Sequence, residues 1–151
     1  MLAGVISDTH GLLRPEAVAA LSKVEHILHA GDVGDPAILD RLAHIAPVTA
    51  IRGNVDREGR CGRLPKTEMI ELGGRLIHML HDLHELDLDP VAAGIAAVIS
   101  GHSHHPAIEW RKCVLYFNPG SAGPRRFSLP VSVGFLEISA DGIKPRLLTL
   151  A

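Results

Sequence analysis

Ten histidines occur among the 151 residues, and two of them are placed to act together. His102 and His104 lie two apart in Ser100-Gly101-His102-Ser103-His104-His105-Pro106, just after the apolar run Ala96-Ala97-Val98-Ile99. Side chains two apart face one side of an extended chain. A strand ending there aims both imidazoles at one spot, and imidazole pairs bind transition metals. Alone, the pair reads equally well as a polar loop. Other apolar runs end in the same chemistry: Asp8 and His10 after Leu2–Ser7, Asp32 after His26–Ala30, Asn54 after Val48–Ile51, and His81 at the end of Arg75–His81. Seven such groups are too many for one tetrahedral zinc and suit two metals. Carboxylate, amide oxygen and imidazole together accept manganese, iron, nickel or zinc. Asp32, with two oxygens and a central place in the series, is the candidate bridge. Two ions about 3.5–4 Å apart clamp a phosphate and hold a hydroxide for in-line attack, with no serine or cysteine nucleophile.

The elements that must position these groups follow from the apolar pattern. The first third reads strand, helix, strand, helix, strand: Leu2–Ser7, a helix from Pro15 with Val18, Leu21 and Val24 inward, His26–Ala30, a helix from Asp35-Pro36 with Ile38, Leu39, Leu42 and Ile45 inward, then Val48–Ile51. Such alternation predicts a parallel sheet with crossover helices, and ligands bind such sheets beyond the carboxyl ends of the strands. Arg57 to Leu64 reads as loop. Further on, hairpins are expected at Thr67–Leu72/Arg75–His81 through Gly73-Gly74, at Ala107–Arg111/Val114–Phe117, and at Val131–Ile138/Ile143–Leu150 through Asp141-Gly142. A short helix is expected over Val91–Gly94, so the second half reads as mostly antiparallel. The expected fold is a four-layer α/β/β/α sandwich of two mixed sheets flanked by helices, as one domain over residues 1–151.

Composition narrows the function classes. A formal net charge of -2 gives no basic field, so strong nucleic-acid binding is not expected. No apolar run is long enough to span a membrane, and the start lacks the basic region of a signal peptide, which points to the cytoplasm. Cys61 and Cys113 fit no zinc or redox spacing and read as reduced structural thiols. His26, His29 and His44 read as structural, with His29 close enough to Asp32 to support it. The antiparallel C-terminal strands could offer an edge for a homo-oligomer.

The order Asp8-x-His10, Gly31-Asp32, Gly53-Asn54, His81, Gly101-His102-x-His104 resembles the calcineurin-like metallophosphoesterase superfamily, and within it the small single-domain bacterial and archaeal phosphodiesterases. The resemblance covers residues 1 to about 123. It implies that Asp8, His10, Asp32 and His104 hold one divalent metal and that Asp32, Asn54, His81 and His102 hold a second, with manganese the leading choice. It also implies that Asn118-Pro119-Gly120-Ser121 supports the site. His81 is preferred to His78 or His84 because it ends its strand. Two positions depart from the family pattern. Val55 stands where many members carry a proton-donating histidine, and Asp82 stands where glycine usually follows the metal histidine.

The implied activity is hydrolysis of small phosphodiesters by a metal-activated hydroxide, with Asp32, Asn54 and His102 at the reacting centre. Without a donor at Val55, esters with acidic leaving groups are favoured. The alternative is a catalytically silent interaction module, since a retromer subunit shares this fold and acts by binding partners.

Overall fold

A computed structural model describes residues 1–150. Alternating strands and helices open the chain: β1 (Leu2–Ile6), α1 (Pro15–Ala20), β2 (His26–His29), α2 (Pro36–Ala43) and β3 (Val48–Ala50). Both helices start at a proline in the first turn, where its missing N–H costs nothing. Asp35 caps α2 by accepting from the Ala37 N–H at 2.9 Å. The three strands run parallel, and β9 (Ser132–Ser139) joins β1 antiparallel to give the order β10-β9-β1-β2-β3, with β10 (Gly142–Thr149) at the edge.

The second sheet has the order β4-β5-β6-β8-β7: β4 (Thr67–Leu72), β5 (Arg75–Leu80), β6 (Ile95–Ile99), β8 (Val114–Asn118) and β7 (Ala107–Arg111). The expected hairpins form, but β5, β6 and β8 run parallel to one another. The second half is therefore not simply antiparallel. Each sheet contains a trio of parallel strands, and the carboxyl ends of both trios meet at one edge of the molecule.

Alternation along β1 shows how the layers are built. Ala3 and Val5 enter the core between the sheets, with Leu28, Ile77, Ile99, Phe117 and Leu136. Ile6 faces the opposite way, into a second core with Ala17, Leu21, Ile38 and Leu42 beneath the helices. The inner core is the larger stabilising element: truncating fully buried Phe117 to alanine would cost about 3–5 kcal/mol. A third cluster, Leu80, Ile95, Val98 and Val114 with Leu83, Leu86 and Tyr116 packed on it, covers the outer face of the second sheet. The two sheets and the helical first layer are as expected. The fourth layer is thin.

Three local expectations are corrected. Val91–Gly94 is a turn: the Ala93 N–H bonds the Asp89 carbonyl and the Gly94 N–H the Val91 carbonyl, and Ile95 then enters β6. The outer layer there is carried by a 3-10 helix, Leu83–Glu85, capped by Asp82. Arg57–Leu64 includes a short helix, α3 (Gly59–Gly62), which buries Cys61. The β9–β10 hairpin turns at Ala140-Asp141, since Gly142 already pairs with Ser139. Cys113 is exposed, at a turn where it and Lys112 both take left-handed backbone. Among the described residues, no helix is long and apolar enough to cross a membrane.

Candidate metal centre

The strand ends bring five of the seven candidate groups into a tight cluster. Asp8 Oδ1 lies 3.8 Å from His10 Nε2, 3.8 Å from His81 Nε2 and 3.5 Å from His104 Nε2. Asp32 Oδ2 lies 3.4 Å from His10 Nε2 and 3.2 Å from His81 Nε2. Both carboxylates are therefore central: Asp8 belongs to each of the two groups, Asp8–His10–His104 and Asp8–Asp32–His81, whose atoms could converge on an ion. His102 packs edge-on against His81, with ring centroids 5.2 Å apart. Asn54 is exposed on the rim, in a cleft it shares with His81.

Extended backbone is not what aligns the paired groups. β1 stops at Ile6 and β6 at Ile99. Asp8, His10, Asp32, His102 and His104 instead all sit in the left-handed region, with φ between 45° and 68°. Each such residue costs of order 1–3 kcal/mol, and such conformations gather at functional sites. The loops just past the strands thus converge their side chains through kinks.

Backbone proximity makes these kinks possible. Gly31 takes φ +100°, and a Cβ there would lie 2.7 Å from His81 Nδ1. A Cβ on Gly101 would collide with Ser7 Oγ and stand 2.7 Å from Asp8 Oδ2. Hydrogen bonds then set each group. Asp8 Oδ2 accepts from Ser7 Oγ at 2.8 Å and from the His102 N–H at 3.1 Å, leaving Oδ1 free. His81 Nδ1 donates to the Ala30 carbonyl at 2.7 Å, which turns the Nε2 lone pair toward the two carboxylates. Asp32 Oδ1 accepts from the Val55 N–H at 3.0 Å.

The residues fit a cation. Asp8 Oδ1, His10 Nε2 and His81 Nε2 are buried and make no directed hydrogen bond, despite their closeness. Orphaned buried polar atoms are rare and costly, at about 1–3 kcal/mol each, and a metal ion would satisfy several at once. Electrostatics agree. Burial pushes the Asp8 carboxyl up to about 6. Burial would lower His81, but the neighbouring Asp32, the Ala30 carbonyl and the Asp8 charge outweigh it and push it up to about 9. Burial opposes ionisation of Asp32 too, yet His81, the Val55 N–H and His10 hold it well below the usual carboxylate range. Burial, aided by Arg126, lowers His104 to about 4 and keeps it a neutral imidazole. Asp32 thus stands ionised and His104 neutral, the forms in which a carboxylate and an imidazole hold a metal ion.

Buried side chains around the cluster hold its loops in place, among them His29 and the 118–121 loop, where the sequence places supports. The Asp56 carboxylate is buried and accepts from the N–H groups of Val33, Gly34 and Gly53, tying the Asp32 loop to the Asn54 loop. His29, fully buried, bonds Thr9 Oγ1 at 3.0 Å and accepts from the Gly31 N–H at 3.1 Å. His26 bonds Thr49, and His44 is exposed. Asn118 donates to the Gly101 carbonyl and to Ser103 Oγ, and Ser121 Oγ donates to the Asp8 carbonyl, so this loop braces both halves of the cluster. Among nearby histidines, His78 is buried within β5 and His84 is exposed, bonded to Asp82. His105, Arg125 and Arg126 are exposed around the site.

Comparisons with known proteins bear on the family and the fold. The model of the calcineurin-like phosphoesterase superfamily domain matches residues 1–141. A probable metallophosphoesterase from Methanothermobacter thermautotrophicus is 36% identical over 160 aligned positions, covering 98% of this chain and 92% of its own. Among solved structures, an archaeal phosphodiesterase superposes with TM-score 0.83 at 23% identity, covering 99% of this chain and 100% of its own. Vps29 from Entamoeba histolytica, solved in complex with zinc, superposes with TM-score 0.77 at 21% identity, each chain covered in full. With its fold, strand-end cluster and sequence all in accord, this chain belongs to the calcineurin-like phosphoesterase superfamily.

Proposed function

We propose that this chain is a divalent-metal-dependent phosphodiesterase acting on small phosphodiesters at a two-metal centre. The carrying observation is the set of unpaired buried atoms, Asp8 Oδ1, His10 Nε2 and His81 Nε2, gathered around two carboxylates. In this reading Asp8, His10, Asp32 and His104 hold one cation, and Asp32, Asn54, His81 and His102 hold the other. Bound cations would neutralise phosphate charge and make a nucleophile available from water at neutral pH. Manganese is the first choice, with iron, nickel and zinc also suited to these ligands.

The chain's own residues divide the work by burial. Asp8, Asp32 and His104 are sheltered and fix the centre. Asn54 and His102 are exposed and stand on the side a substrate must approach. Val55, half exposed beside Asp32, has no proton to give. The leaving group must then depart without help from this position, which favours acidic alcohols. The archaeal phosphodiesterase of the same fold accords with this reading.

Vps29 neighbours keep the interaction module as the second reading, and zinc binding by one of them means retained ligands do not decide the matter. Turnover does. Metal-stripped protein is assayed on 4-nitrophenyl phosphate and bis(4-nitrophenyl) phosphate, with and without manganese, beside Asp32→Ala. Manganese-dependent cleavage of the diester, lost in the variant, is expected. No cleavage with two metals bound would overturn the enzyme reading in favour of the module.

A further inference from the structure

A cleft of about 200 Å³ opens directly beside His102, on the outer face of the second sheet. Its walls include Leu83, Ala107 and Tyr116, and His102 and Asp82 stand at the end nearest the metal centre. The phosphodiesterase assignment gives this cleft no task. We infer that it is a substrate subsite that receives an uncharged planar ring, the aryl group of an aryl ester or the base of a nucleoside ester, of the phosphate held at the metal centre.

Size, lining and charge each support this occupant. A dry apolar cavity of ~150 Å³ is enough to bind benzene, so a cleft of about 200 Å³ has room for one ring. Ligand sites are mostly apolar with a few placed polar groups, and the polar groups here are largely committed. Glu109 is neutralised by Arg111 through two 2.9 Å contacts, and the same guanidinium lies 4.4 Å over the Tyr116 ring. Asn118 spends its N–H groups on Gly101 and Ser103. Ser100, His102 and His105 also line the cleft, and of its two carboxylates Asp82 is the one with no arginine partner. Its Oδ1 accepts from the His84 N–H at 3.0 Å, and its Oδ2 lies 3.9 Å from His102 Nε2. That carboxylate repels an anionic substituent and offers an acceptor to a ring N–H or amino group.

Asp82 also divides this cleft from another. On its far side a cleft of about 150 Å³ sets Arg52 and Lys66 against Glu85 and Asp82 itself, with Asn54 and His81. A polar portion of a substrate finds donors and acceptors there, and the uncharged ring goes to the His102 side. The residue that departs from the family pattern thus separates two chemically unlike surroundings on either side of the reacting phosphate.

The inference rests on the phosphodiesterase reading, and a binding measurement separates the two. Zinc-loaded protein, which is diamagnetic, is titrated with methyl phenylphosphonate and methyl ethylphosphonate while the methyl signals of Leu83 and Ala107 are followed by NMR. The phenyl probe is expected to bind about tenfold or more tightly, as ring burial in an apolar cleft requires, and to shift both methyls. Ala107→Phe fills the cleft from an exposed position on an edge strand and should bring the ratio of the two affinities close to one. Equal affinities in the unaltered protein, or shifts that spare Leu83 and Ala107, would overturn the subsite and leave the metal centre standing. Failure of both probes to bind the zinc-loaded protein would overturn the subsite and the phosphodiesterase reading together.

Discussion

Removing the Asp56 carboxylate should loosen the metal centre from outside it. Asp56 Oδ2 accepts from the Val33 N–H at 3.0 Å and the Gly53 N–H at 2.9 Å, while Oδ1 accepts from the Gly34 N–H at 3.0 Å. Val33 is fully buried and Gly53 partly so, whereas Gly34 is exposed and can turn to water. Hydrogen bonds to a charged group contribute about 1.5–3 kcal/mol each. Counting only the two sheltered donors, Asp56→Ala should lower stability by about 3–6 kcal/mol. Asp56→Asn keeps one acceptor oxygen for Val33 and Gly53 but turns an amide N–H toward the Gly34 N–H, so its loss should be about half as large. Urea unfolding of the metal-stripped protein reads both. The variants should also bind metal more weakly, by about 10–100-fold, because the two tethered loops carry Asp32 and Asn54. A stability loss below about 1 kcal/mol for Asp56→Ala would refute the view that these bonds hold the loops in place.

Asp8→Asn should separate stability from function. Burial raises the Asp8 carboxyl to about 6, so ionisation is easier in the unfolded chain and destabilises the metal-free native state above that pH. The variant should therefore gain about 3 kcal/mol at pH 8, the gain shrinking as pH falls through 6 and vanishing below the ordinary value of 3.8, while metal binding is lost; equal stabilities at pH 8 by denaturant unfolding would contradict it. With His81 raised to about 9, metal binding at pH 7.5 must displace its proton. Calorimetry in buffers of different ionisation enthalpy should find about one proton released per site, and none would refute the assignment of His81. Val55→His should raise cleavage of esters with poor leaving groups by about 10²-fold or more relative to activated ones; an unchanged leaving-group dependence would show that the missing donor is not what limits them.

The residues of the site were legible because each follows an apolar run, and runs that end in Asp, His or Asn remain visible whatever the backbone does next. The reason for their convergence was not. His102 and His104 were expected to align on extended chain, yet both occupy left-handed backbone, a conformation that residue type alone does not announce. Long, regular elements such as β9 and β10 were found nearly whole, and α2 showed through its Ile38–Leu39–Leu42 stripe and the Asp35 cap. Elements of one turn were not: the Gly-rich Arg57–Leu64 segment hid α3, and Asp89-Pro90 imitated a helix start that β6 cuts short. The parallel run of β5, β6 and β8 escaped because hairpin signals report only neighbours in sequence, whereas β6 pairs β8 across a long connection. Asp56, which follows Asn54 closely enough to be read as a support or a loop cap, bonds the Val33, Gly34 and Gly53 N–H groups, and Ser7 bonds Asp8; spacing does not identify such partners.

The central claim is that these seven residues hold two cations, and anomalous diffraction from crystals soaked in manganese tests it most directly. The account predicts two peaks about 3.5–4 Å apart, one within bonding distance of Asp8, His10, Asp32 and His104, the other of Asp32, Asn54, His81 and His102. A single peak, or none at this cluster in protein otherwise saturated with metal, would contradict it.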